Sequence, residues 1–527
     1  MTVLRGDLGR PAVRGDRQRA VSGGPGGGEA EQAQQGEQGG EAELGRGRAH
    51  GASAAHVSPG GMPAPRSPRR PLAALGFAGF GGLAACAPPP EAPLLVLISL
   101  DTLRGDHLGR RDPGGHSLSP GLDARVAQGL RFTQAFAQAN ESLFSHRALF
   151  LGQGAEAAGP LRYDAPPLPD DAPTLAAALA QAGWRTEAVV AGGHLGPSFG
   201  LDAGFQHYWS TADFGSFQAT VPLALDRLDA LATEDRPALL FVHGYDMHTP
   251  YAKPGPFFGL QRPGAGARIG ALLDDPLLYE RIWQNSYYPD FRPSQAVRPD
   301  GVPVLPVEVY AALQAHAEAP GARAEQLRAA ELDAIRGQYE GALLYADAQL
   351  APLWAALEAP PWAGRVTVVL FADHGEDLGE HGTFNHRHVL ADSTLHVPLA
   401  LWGPGLPIAE IDAPVGLDGL RAALLARYGV PDPAPEGRAV PLPLDGSAPP
   451  PAAVPSASMR GELSLRDAAG RLSAPRAALA GPPPALPPAG AIHEDSLGQT
   501  LPWPPPAARW AALQALAAAQ PGGADGG

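Results

Sequence analysis

Cysteine occurs once in the 527 residues, at Cys86, and lysine once, at Lys253. A single thiol excludes an internal disulfide and any zinc cluster built from cysteines. Asparagine is almost as scarce, with Asn140, Asn285 and Asn385 alone. Basic residues are outnumbered, 39 Lys+Arg against 54 Asp+Glu, for a net charge of −15. That deficit argues against nucleic acid as a partner, which would require a basic footprint. No apolar run reaches the about 18–20 residues of a membrane-spanning helix without a Gly or Arg interruption. Glycine and proline abound instead, at 66 and 59 residues, and they concentrate in the tails and linkers. These absences leave a globular catalyst or binder with unusual ends.

Residues 1–61 are Gly, Ala, Glu, Gln and Arg with almost no large apolar side chains. Such a segment buries too little surface to offset its ordering entropy and reads as disordered. A different pattern opens at Met62. Arg66, Arg69 and Arg70 precede the apolar run Leu72–Ala85 and then Cys86, the layout of a secretory signal over 62–86. On that reading Met62 is the start and 1–61 an upstream extension. Residues 431–527 are rich in Pro and Ala and are expected to form a small, loosely structured appendage, closed by one helix near 507–520.

The middle of the chain, 94–430, alternates short continuous apolar runs with amphipathic helices, the pattern of parallel strands buried on both faces. The expected class is therefore α/β, a large mostly parallel sheet flanked by helices. One unit reads as a helix capped by Asp171 and closed by Gly183, followed by a strand over 187–191. Three runs end in chemistry. Leu94–Leu100 leads into Asp101, Ala238–Val242 into His243, Asp246 and His248, and Val366–Ala372 into Asp373 and His374. Ligands bind outside the carboxyl ends of strands in such sheets, so neighbouring positions for these three would gather a metal or acid/base site.

Ser142 precedes apolar, helix-forming sequence and is placed at a helix N-terminus, where free N–H groups favour an anion or an alkoxide. A serine there also serves as an ordinary cap. Asn140, Lys253 and Asn385 each stand within a few residues of a candidate site residue.

Together these stretches resemble the sulfatase family of the alkaline-phosphatase-like superfamily. The matching segments are 94–109 around Asp101, 119–123, 241–251 around His248, and 372–382 from Ala372 through Asp373-His374-Gly375-Glu376 to Gly382. Phe384-Asn385-His386-Arg387-His388 and His396-Val397-Pro398-Leu399 follow in order. The tetrapeptide Leu83-Ala84-Ala85-Cys86 resembles the bacterial lipobox. It implies an exported lipoprotein held through lipidated Cys86 at the periplasmic side of a membrane, the outer one by preference.

The sulfatase resemblance implies that Asp101, Asp373 and His374 bind one divalent cation, calcium first, with manganese, magnesium or zinc as alternatives. It makes Ser142 the nucleophile and puts His146 where an arginine braces it. His248 and His386 contact the ester oxygens or assist the leaving group, with His388 a weaker candidate and His194 a stand-in for a family lysine. The implied substrate is a small-molecule or glycan sulfate or phosphate ester. Two departures stand out. The stretch Ser142-Leu143-Phe144-Ser145-His146 lacks the proline and arginine that accompany formylglycine formation, and Thr102 replaces a second aspartate. Alternatives to a sulfate-ester hydrolase are a phosphodiesterase or phosphatase working through a phosphoserine, a phospho-head-group transferase, and a non-catalytic lipid-anchored binding protein. Glu376 and Glu380 read either as partners of the ligands or as a solvated acidic loop. His107, His207 and His396 read as structural, and 252–330 as a lid or a second packed layer.

Overall fold

A computed structural model describes residues 93–248, 251 and 329–519, apart from 113, 212–213, 382–383, 435, 451, 489–490 and 496–498. The 1–61 tail, the 62–86 signal with Cys86, and the 252–330 insertion up to 328, with Lys253 and Asn285, lie outside the described residues.

The order is β1 (Leu94–Leu100), α1 (Pro120–Val126), β2 (Leu130–Phe136), α2 (Ser142–Leu151), α3 (Leu175–Gln181), β3 (Arg185–Val190), β4 (His207–Ser210), α4 (Phe217–Leu231), β5 (Ala238–Gly244), α5 (Ala329–Leu357) and β6 (Val366–Phe371). A short hairpin, β7 (Asp377–Leu378) with β8 (Phe384–Asn385), precedes β9 (His396–Trp402), β10 (Ala409–Ile411), β11 (Val415–Gly416) and α6 (Gly419–Arg427). The sheet runs β10-β2-β9-β6-β1-β5-β3-β4, with β11 also on β2. Its pairings are parallel except where β9 lies antiparallel to β2 and β6. This is the expected mostly parallel α/β sheet.

The three chemistry-bearing runs are its centre, with β1 between β5 and β6. Every residue of β1 and β5 is buried, which explains their unbroken apolar sequence. Side chains alternate between faces with period two, and the register pairs Ser99 with His243 on one side and Phe371 on the other. Helix α2 packs on that face, where the His146 ring meets Phe241 at 5.8 Å and Phe371 at 6.2 Å.

Two expectations are corrected. Helix α3 is capped by Thr174, whose Oγ1 accepts from the Ala177 N–H at 3.0 Å, and not by Asp171. The hydroxyl oxygen reaches the third helical N–H only from the residue adjoining the first turn, and Asp171 lies one turn too early. The C-terminal segment is not loosely structured. It folds as an antiparallel sheet of β12 (Val454–Ala457), β13 (Glu462–Asp467), β14 (Gly470–Pro475) and β15 (Ile492–Glu494), covered by α7 (Ala507–Ala519). Inward Leu463, Leu472, Ala474, Trp510 and Leu513 are buried, so even a Pro/Ala-rich stretch finds a core.

This sheet docks beside the main one through charge. Asp392 accepts from Arg471 Nε at 2.6 Å and from Arg466 Nε at 3.2 Å, with both arginines almost wholly buried. Removing one partner of such a cluster strands the others. Asp392→Ala is expected to lower stability by about 3 kcal/mol, read as a fall in Tm, whereas substitution of the exposed Asp412, just after β10, by Ala changes it little.

Candidate functional site

Strand ends build the site from three directions. Asp101 follows β1, extending the ladder by donating its N–H to Gly244 O at 3.1 Å. Asp373 and His374 follow β6. Their ligand atoms and that of Asp101 lie within 4.8 Å of one another, and all three residues are buried. Ser142 opens α2 directly above them. Its Oγ donates to Asp101 Oδ2 at 2.7 Å and lies 3.2 Å from His374 Nε2. Residues spread over some 270 sequence positions therefore meet as expected.

The hydrogen bonds leave a defined gap. Asp101 Oδ2 is taken by Ser142, while Oδ1 has no hydrogen-bond partner among the described residues. Asp373 Oδ1 accepts backbone N–H groups of Thr102 at 3.3 Å and His374 at 3.0 Å, while Oδ2 has no hydrogen bond among the described residues. The Nδ1–H of His374 donates to Gly375 O at 3.0 Å, which turns Nε2 into the site. Each carboxylate thus keeps one oxygen fixed and one open, the arrangement that a cation's ligands require. Burial, and then the nearby Asp373 charge, raise the Asp101 pKa well above the ordinary range. Burial works the same way on Asp373, but His374, His146 and His243 outweigh it and hold that carboxyl below its usual value. Thr102, in place of a second aspartate, takes φ of 60°, a strained conformation for a β-branched residue. Its carbonyl accepts the Tyr339 hydroxyl at 2.6 Å.

The predicted histidines separate into two groups. His386 and His248 border the site, with ring centroids 4.1 Å from His374 to His386 and 5.5 Å from His386 to His248. Glu376 Oε2 accepts from His386 Nδ1 at 2.8 Å and Oε1 from the Tyr251 hydroxyl at 2.6 Å, so Glu376 is a partner of His386 and not a solvated acid. Burial, then His374, lowers the His386 pKa well below normal. His146 lies behind the serine instead. Its Nδ1–H donates to Ser142 O at 2.8 Å and its Nε2 lies 3.1 Å from Ser99 Oγ, in a fully buried position. Its contact with Ser142 is thus to the backbone carbonyl and not to the hydroxyl. His194 stacks on Tyr163 at 4.2 Å, its pKa lowered to about 3 by burial and then by His248.

Both described asparagines serve the His386 loop. Asn140 Nδ2 donates to His386 O at 2.6 Å, and Asn385, at φ of 77°, accepts from the His386 N–H at 2.5 Å. An amide that tolerates the left-handed region and caps the next N–H explains the residue type. His388 sits at the rim, accepting from Arg460 Nη1 at 3.0 Å. His107 pairs with Asp106 and His396 with Thr133 O, away from the ligands, and His207 stacks on Trp209 at the sheet edge. His243, singled out in the sequence only as one of the residues closing the apolar runs, stands near the end of β5 with its Nε2 3.6 Å from Asp101 Oδ2. Its position at a strand end beside Asp101 was the available signal.

A mostly parallel sheet flanked by helices, with two carboxylates, an imidazole and a hydroxyl converging at its central strand ends, is the alkaline-phosphatase-like α/β architecture. The sulfatase family profile matches residues 93–430, and the chain belongs to that family. A sulfatase of Formosa agariphila is 29% identical over 182 residues, a match covering 33% of this chain and 33% of that protein, so the chain spans only about a third of that relative. The phosphonate monoester hydrolase SpPMH from Silicibacter pomeroyi superposes with a TM-score of 0.53 at 18% identity, covering 81% of this chain and 94% of that one. The yidJ protein of Bacteroides fragilis gives 0.53 at 16% identity over 74% and 88% of the two chains. At these identities the likeness is one of fold.

The site loop is tied to the C-terminal sheet by His381, whose Nδ1 lies 2.9 Å from Asp377 Oδ1 and Nε2 3.0 Å from Glu494 Oε1. Burial opposes its charge, but the two carboxylates outweigh burial and push the pKa up to about 10. A raised folded-state value stabilises fully below the unfolded pKa of about 6.5. That contribution is lost as pH rises through about 10. The Tm gap between wild type and His381→Ala should therefore be widest at or below pH of about 6.5 and close toward about 10.

Proposed function

We propose that this chain hydrolyses sulfate esters with Ser142 as nucleophile, in a site where Asp101, Asp373 and His374 hold one divalent cation. The observation that carries the reading is the placement of Ser142 Oγ, 2.7 Å from Asp101 Oδ2 and 3.2 Å from His374 Nε2 at the start of α2. The open oxygens Asp101 Oδ1 and Asp373 Oδ2 support a bound cation. When bound, a divalent ion there supplies charge neutralisation for the ester and lowers the pKa of a neighbouring hydroxyl. A net charge of −15 repels an anionic substrate, so attraction must be local. Oxygen-rich ligands suit calcium, magnesium or manganese, and the imidazole admits zinc.

This chain's own groups divide the work. Ser142 Oγ–H already donates to Asp101, which gives the attacking hydroxyl a proton acceptor. The N-terminal N–H groups of α2 face the anion. His386, oriented by Glu376, and His248 beside it serve the leaving oxygen, which takes a proton as its bond to sulfur breaks. Water then cleaves the serine ester. A sulfated glycan fits the substrate class: Ps i-CgsB, solved with a neocarrahexaose, shares the fold with a TM-score of 0.50.

A second reading, hydrolysis of a phosphate or phosphonate ester, is favoured by the serine itself. Ser142 lacks the proline and arginine of a formylglycine motif, and a phosphoserine is readily hydrolysed in a second step. Turnover of an aryl sulfate and a bis-aryl phosphate under the same conditions ranks the two. Ser142→Ala is expected to cut either rate at least about a thousandfold. A rate left within tenfold of wild type sinks both.

The proposal extends to location: an exported protein anchored through acylated Cys86. Cys86→Ser should abolish labelled palmitate incorporation and shift the protein from the membrane to the soluble fraction, and unchanged labelling would refute the anchor.

A further inference from the structure

His243 stands on the buried face of β5 that α2 covers, in register with Ser99 of β1. Beyond Ser99 its strand neighbours on that face are apolar: Phe241 precedes it on the same side, and Phe371 lies across β1. The ring is fully buried, edge-to-face with Tyr245 at 4.5 Å and with His146 at 5.5 Å. Neither ring nitrogen has a hydrogen-bond partner among the described residues. Two unsatisfied polar atoms in such a place are costly, and a leucine or phenylalanine would fill the layer without that cost. An imidazole placed here needs a task.

The nearest charged group is the carboxylate of Asp101, with Oδ2 3.6 Å from His243 Nε2. That separation exceeds a hydrogen bond, and a movement of about 0.6 Å brings it into the ordinary range. We infer that His243 is a positioning residue for the cation: in the loaded protein its Nε2–H donates to Asp101 Oδ2, which presents Oδ1 to the ion. The inference rests on the proposed cation site and assigns to it a residue outside its ligand set. Outer partners of this kind commonly govern affinity by 10–100-fold when removed. Asp373 already has the equivalent support, since two backbone N–H groups hold its Oδ1. Asp101 has a hydroxyl from Ser142 alone, and that hydroxyl must leave when the serine attacks. His243 supplies the donor that stays.

The test is manganese and calcium binding to the purified full chain by titration calorimetry, with metal content measured after dialysis and thermal melts as a fold control. His243→Leu is expected to weaken binding about 10–100-fold. His243→Gln, which keeps an N–H donor, should recover most of the affinity. If the leucine variant does not fold, the glutamine and His243→Met variants are compared, with the loss expected in Met alone. A leucine or methionine variant that binds as tightly as wild type overturns the inference while leaving the proposed function standing. Wild-type protein that binds neither ion overturns both.

Discussion

Two buried carboxylates, Asp101 and Asp373, lie side by side at the ends of adjacent strands, and the surrounding structure answers that repulsion. Neither can be moved into water, because β1 and β6 are the centre of a sheet covered on both faces. Backbone N–H groups, a serine hydroxyl and an imidazole absorb part of the charge and leave one oxygen of each acid open. Positive charge delivered to that gap removes the remaining strain, and the same spot faces the start of α2. On the proposed function, attraction for a cation and attraction for an anionic ester would arise from one arrangement.

The histidines divide along the same line. Those on the open side, His248 and His386, are reached across the site, and a carboxylate fixes His386 by its Nδ1. Those on the closed side, His146 and His243, lie in the apolar layer between α2 and the sheet. His146 has both nitrogens engaged and holds the serine's backbone in place. Identical side chains thus have different surroundings according to which side of Ser142 and Asp101 they occupy.

The C-terminal sheet also belongs to the site's architecture. Glu494 of β15 engages His381 and accepts the Asp392 N–H at 3.1 Å, while Ser456 Oγ of β12 donates to Ala137 O at 2.7 Å. These bonds grip both segments that carry site residues, the one leading into Ser142 and the loop that carries His386. A region with no chemistry of its own restrains the residues that have it.

Much of this was legible in the chain itself. Unbroken apolar runs, each closed by an acid or a histidine, marked the central strands and the residues at their carboxyl ends, because burial on both faces leaves no room for alternation. The position of Ser142 before helix-forming residues located the helix start, since propensity and capping are local. What sequence could not supply was adjacency. That β1 lies between β5 and β6 is decided by long-range pairing, and only that pairing brings His243 against Asp101 and Ser99 within reach of His146. The four-stranded C-terminal sheet was hidden for a related reason: its short strands carry little periodic signal, and its stability comes from Arg466 and Arg471 meeting an aspartate more than 70 positions away. Local chemistry named the participants, and the tertiary pairing of distant segments decided who faces whom.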